Sequence, residues 1–140
     1  MSAAADRTEN LTLDFWLKAN SQATSAPATV YVALFNSDDS AGLTSENLEA
    51  GTITDECTGG AYARQAVTFG TITNGSVSNS ADVTFPAATD ANWGTITHLA
   101  VMDASTAGNV IFYGSLSSSK LIENSDTFQI TSGNLTVTLA

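Results

Sequence analysis

Apolar and polar residues alternate along this chain in two rhythms, and the change between them divides it. Over 10–19, NLTLDFWLKA, Leu13, Trp16 and Leu17 recur at the i, i+3, i+4 spacing, and Leu11 and Phe15 form a second i, i+4 pair. That spacing predicts a short helix, with Thr8 or Asn10 as its cap. Its apolar face is wide for its length, and a helix this short is marginal alone in water. It is therefore expected to pack on something, either the chain's own sheet or another chain. Residues 1–9 read as a flexible polar arm, and 20–27 as a linker ending in Pro27.

From residue 28 the rhythm is that of strands. ATVYVALF at 28–35 is a continuous apolar run bounded by Pro27 and by Asn36-Ser37-Asp38-Asp39, the pattern of a buried strand. A long loop follows at 36–60, carrying Glu46, Glu49, Asp55 and Glu56, with one turn of helix around 44–49. Loops of this length in compact domains are usually functional or disordered. YARQAVTF at 62–69 forms a strand. Asn74-Gly75, between 71–73 and 76–78, is the strongest short hairpin signal available, and 81–85 continues the return strand as far as Pro86. GTITHLAVM at 94–102 and NVIFYGSL at 109–116 form a second hairpin across DASTAG. DTFQIT at 126–131 and LTVTL at 135–139 form a third across Ser132-Gly133-Asn134, with Phe128 and Ile130 on one face, as are Leu135, Val137 and Leu139.

The hairpin at Asn74-Gly75 contains a conflict. An unbroken two-residue hairpin would put Val83 and Phe85 on the face opposite Val67 and Phe69. A bulge near Gly70 removes the conflict. About seven short strands with closely spaced turns predict a mainly β fold: an antiparallel β-sandwich or jelly-roll-like domain with a short N-terminal helix. The division is 1–26, an arm with the helix, and 27–140, the β domain.

Composition narrows the function. The chain has 140 residues, 43% of them apolar and only 13% charged, against about 25% charged in ordinary domains. Four Lys and Arg face fourteen Asp and Glu, a net charge of −10. That balance argues against nucleic acid and against an anionic membrane as partners. It serves solubility, or it matches a basic docking site on a partner. Cys57 is the sole cysteine, which excludes an intrachain disulfide and fits synthesis in a reducing cytoplasm. The first ten residues do not have the form of a secretory signal, and no apolar run is long enough to span a bilayer.

Candidate chemistry is sparse. His98 is the sole histidine and lies in an apolar strand, and there is no G-x-S-x-G elbow. Cys57 sits beside Asp55 and Glu56, whose charge opposes thiolate formation. Neither zinc nor calcium spacing is present, and no phosphate-binding glycine motif follows a strand. The expectation is therefore no catalytic residue, no cofactor and no metal. The partner-contact candidates are Phe15, Trp16 and Leu17 on the helix, Tyr62 and Arg64 in YARQ, and the acids Glu46, Glu49, Asp55 and Glu56. For Arg64 a salt bridge or an edge position is the simpler alternative.

PATVYVALFNSD at 27–38, GGAYARQAVTFG at 59–70, NSADVTFPAAT at 79–89 and WGTITHLAVMDAS at 93–105 together resemble a family of small tailed-phage proteins. NVIFYGSL at 109–116 and SGNLTVTLA at 132–140 fit the same pattern. Members of that family are labelled tail fibre proteins or look like capsid cement and decoration proteins. The resemblance implies a non-enzymatic virion component made in the host bacterial cytoplasm. The leading expectation is a decoration protein on the head shell. Its partner would be the major capsid protein, and it would be a homo-oligomer, by analogy a trimer. The alternative is a tail fibre or tail-tip component. The long acidic loop at 36–60 and the N-terminal extension depart from the family pattern.

Overall fold

The computed structural model describes residues 2–18, 26–36, 44–89 and 93–139. In chain order its elements are β1 (Ser2–Ala4), α1 (Asp6–Leu17), β2 (Val30–Asn36), α2 (Thr44–Glu49), β3 (Gln65–Val67) and β4 (Ser76–Ser78). These are followed by β5 (Val83–Thr84), β6 (Gly94–Met102), β7 (Val110–Ile122), β8 (Gln129–Ile130) and β9 (Thr136–Thr138). Five strands form one sheet in the order β1-β7-β6-β2-β3, and two ribbons, β4-β9 and β5-β8, complete the pairing. Every pair is antiparallel. The fold is the expected mainly β, antiparallel arrangement with an N-terminal helix, and the sheets do not close into a barrel.

The large sheet is covered on both faces, which explains the unbroken apolar run of β2. Val32 and Leu34 join Val67, Val83, Phe85, Trp93, Phe128 and Ile130 in the core between sheet and ribbons. Ala33 and Phe35 point the other way, into a second core with Ala5, Leu48, Ala100 and Met102. All four central residues of β2 are therefore fully buried. The first core is centred on aromatics: Tyr62, Phe85, Trp93 and Phe128 meet at centroid distances of 5.5 to 6.3 Å, mostly edge to face.

The turn at Asn74-Gly75 has positive φ at both residues, 52° and 74°, as a two-residue hairpin requires. The break near Gly70 is present. Thr73 pairs with Ser76 and Phe69 with Asn79, so three residues on one strand face two on the other. The extra residue returns Val67 and Phe69 to the core side, with Val83 and Phe85.

Three expectations are corrected. Residues 2–4 are not part of a free arm but pair with β7, Ala3 opposite Tyr113. The helix begins at Asp6, not residue 10, and neither Thr8 nor Asn10 caps it. Ala5 is the N-cap without a side-chain bond, its methyl buried and its N–H donated to Ile111 O at 3.1 Å. Asp6 and Glu9 lie in the first turn, where their charge complements the helix dipole. Third, 126–139 does not form a hairpin with itself. β8 pairs with β5, and β9 pairs with β4.

The diversion of 126–139 centres on Asn79. Its Nδ2 donates to Ala81 O and Thr131 O, and its Oδ1 accepts the Leu135 N–H at 2.9 Å. One buried amide thus ties both ribbons together. Of the residues expected on the buried face, Leu135 and Val137 are buried, but Leu139 is 55% exposed.

The hairpin across DASTAG forms as expected, but its second strand runs on to Ile122. His98 pairs with Ser115 and Ile96 with Lys120, so Thr97 alone faces the four residues 116–119. This large bulge lifts Ser117, Ser118 and Ser119 into solvent.

Candidate attachment surface

The helix that the sequence singled out is not used in the fold's own core. No residue of α1 is buried, and Phe15, Trp16 and Leu17 are 64%, 75% and 75% exposed, with Leu13 at 55%. The rings of Phe15 and Trp16 meet edge to face at 5.2 Å, which holds them as one aromatic knob. Beside the knob lies an open groove of about 390 Å³. Leu11, Pro27 and Ile111 form its apolar wall, and Arg7 and Asp103 its polar end. A second apolar crevice, of about 250 Å³, opens between the sheet and the β4-β9 ribbon along Val30, Phe69, Val77 and Val137. Ile72 stands 73% exposed at its edge.

The acids divide into two groups. Glu46 and Glu49 are exposed on α2, while Asp55 accepts a hydrogen bond from Asn47 Nδ2 at 3.1 Å. α2 packs across β7 and β6, and α1 also touches β7. Acids of both helices therefore act on the same strand. Burial raises the Tyr113 phenol's pKa, and the nearby carboxylates of Glu49, Glu9 and Asp6 raise it further. The sequence does not reveal that Asp6 and Glu9 act on the same tyrosine as Glu49, because they lie far apart along the chain.

Glu56 belongs to the second group and points inward. Arg64 donates from Nε and Nη2 to the two Glu56 oxygens, both at 2.7 Å. Its Nη1 donates to Ala104 O and Ala107 O at 2.8 and 2.7 Å. The hydrogen bond to Glu56 holds the guanidinium charged, outweighing the opposing cost of burial. Tyr62 OH donates to Glu56 Oε1 at 2.9 Å and accepts the Leu34 N–H. Burial first, then Glu56, pushes that phenol far above its usual range. Arg64 is only 8% exposed, so its donors serve an internal staple, the simpler of its two readings. The staple fixes the turn at 103–109, where Asp103 accepts from the side chain and the backbone N–H of Asn109.

Cys57 is buried against Trp93 O, and burial raises its thiol pKa. His98 Nε2 lies 2.8 Å from Ser45 Oγ, a contact that the sequence did not suggest. Its Nδ1 is held by Thr97 Oγ1 at 2.9 Å, where a hydrolytic triad has a carboxylate. Among the described residues no three His, Cys, Asp or Glu side chains gather as metal ligands, and no helix is long and apolar enough to cross a membrane.

The surface is thus an aromatic knob and groove at one end of a helix whose first turn is acidic, on a body fixed by an internal ion pair. A comparison with curated proteins gives no match. Residues 3–138 match the protein family described as Podophage GP4 fiber I protein gp80. The match runs from the first strand of the large sheet to the last strand of the ribbons. The chain belongs to the podophage GP4 fiber I protein gp80 family and is, at that level, a fibre-type structural component of a phage virion.

Proposed function

We propose that the chain is a non-catalytic subunit of a fibre-type appendage on the particle, held to its neighbours through the exposed face of α1. The family match over 3–138 is the observation that carries this reading. The exposed Phe15–Trp16 knob supports it, because apolar surface of this kind marks a contact site. Tyr62, Arg64 and Glu56 then act as internal supports of the surface and not as contacts. Ser45 and His98 are read as a structural hydrogen bond.

A second reading is decoration of the head shell, with the major capsid protein as partner and a trimer as the assembled form. It is favoured by the layered body, a central sheet covered on both faces, which among the described residues has no repeating or elongated stalk. A reconstruction of the intact particle separates the two. Density for this domain along tail-associated fibres supports the first. Density in a lattice over the head supports the second. Absence from both rejects the proposal.

A further inference from the structure

Resting on that structural reading, we infer that the face of α1 docks into an apolar groove, bordered by Lys and Arg, on a different protein of the same particle. The apolar part is large enough to matter. Leu13, Phe15, Trp16 and Leu17 are each more than half exposed. With aromatic side chains burying about 150–250 Å² each, the touching Phe15 and Trp16 rings alone present on the order of 300 Å² at their exposure. A standard interface buries about 800 Å² per partner, so this pair supplies a central anchor of one side, and Leu13 and Leu17 add to it.

Charge selects the partner. Of the four cations, Arg64 is locked onto Glu56 and Lys18 pairs with Asp14 at 3.1 Å. Around the helix, Asp6, Glu9, Asp14 and Glu49 outnumber Arg7 and Lys18, and Asp6 and Glu9 stand in its first turn. A second copy would bring the same excess of acids against this one, with −10 on each chain. A groove with a basic rim satisfies both the aromatic knob and the acids, and opposite charge speeds its encounter.

The test uses the purified full chain and virions assembled without it. Binding is followed by co-sedimentation and by light scattering, from about 20 mM salt to 0.5 M, a range over which screening becomes strong. The parent chain is expected to bind, faster at low salt. Phe15→Ala with Trp16→Ala should weaken binding by roughly thirtyfold or more, as hot-spot aromatics do. Asp6→Asn, Glu9→Gln and Glu49→Gln together should slow association several-fold at low salt and flatten its salt dependence. Both variants should melt close to the parent. If the parent never binds, the structural reading itself falls. If the parent binds and either variant set binds as the parent does, only this inference falls. A dimer of the free chain that Trp16→Ala dissolves would assign the face to a second copy and also overturn it.

Discussion

Replacing Arg64 with Met keeps an unbranched apolar stem but removes the guanidinium, with its charge and all its donors. The Arg64 and Glu56 side chains are 3% and 16% exposed, so solvent cannot take over the arginine's role. Among the described residues, the change leaves the Glu56 carboxylate with one side-chain donor, the Tyr62 hydroxyl. It also leaves Ala104 O and Ala107 O without their guanidinium donor. Removing one partner of a buried pair costs about 3–5 kcal/mol. Glu56 sits near the edge of the buried region and keeps one hydrogen bond, which places the expected loss near the lower end, about 3 kcal/mol. For a domain of this size that is on the order of a 10 °C fall in melting temperature. Urea unfolding followed by far-UV circular dichroism measures the loss directly. The double variant Arg64→Met, Glu56→Leu should recover much of it, because no unpaired charge is left inside. A single-variant loss under about 1 kcal/mol, or no recovery in the double, would refute the view that this pair staples the 103–109 turn.

Three other outcomes are expected. A methyl at Gly60 would lie 1.8 Å from Thr89 O, a backbone atom, so Gly60→Ala should destabilise by about 3 kcal/mol or more in thermal melts. Burial alone would raise the Asp103 pKa, but hydrogen bonds from Asn109 more than offset this and hold the carboxyl below its ordinary 3.8. Its contribution is therefore complete above that value and is lost as pH falls through the folded-state pKa; Asp103→Asn should flatten the acid limb of a stability–pH curve measured from pH 5 downward. Cys57 is 2% exposed and its thiol is pushed up by burial, so a thiol reagent at neutral pH should label it only as fast as the domain opens, accelerating in urea.

The strand β2, the turn at Asn74-Gly75 and the hairpin of β6 and β7 were legible because each depends on local pattern. The bulge near Gly70 was legible for a subtler reason: no unbroken ladder could bury Val67, Phe69, Val83 and Phe85 together. Long-range choices left weaker traces. Ser2–Ala4 is too short and too small-residued to look like a strand, and it becomes one only because β7 offers an edge. The cap at Ala5 has no side-chain signature, since burial and a backbone bond to Ile111 fix it. Residues 126–139 alternate as a hairpin should, yet Asn79, more than fifty residues away in sequence, captures the Leu135 N–H and Thr131 O. At the candidate surface, the exposed aromatics were legible from the helical spacing. The roles of Arg64 and Glu56 were not, because nothing in YARQ or DECT shows that the two side chains meet.

The bulge at 116–119 bears on how such a protein survives crowding. β1 covers β7 only at 112–114, and past that point a straight β7 would offer a long open edge to any passing strand. Four residues set against Thr97 break that template, and the serines at 117–119 with Lys120 replace it with a hydrated, irregular border. At this edge, sheets of neighbouring molecules then have no matching row of amides and carbonyls to zip together. The chain can be packed at high local density without coalescing edge to edge, so its contacts are left to side chains that can be specific and not to a backbone that would accept any strand.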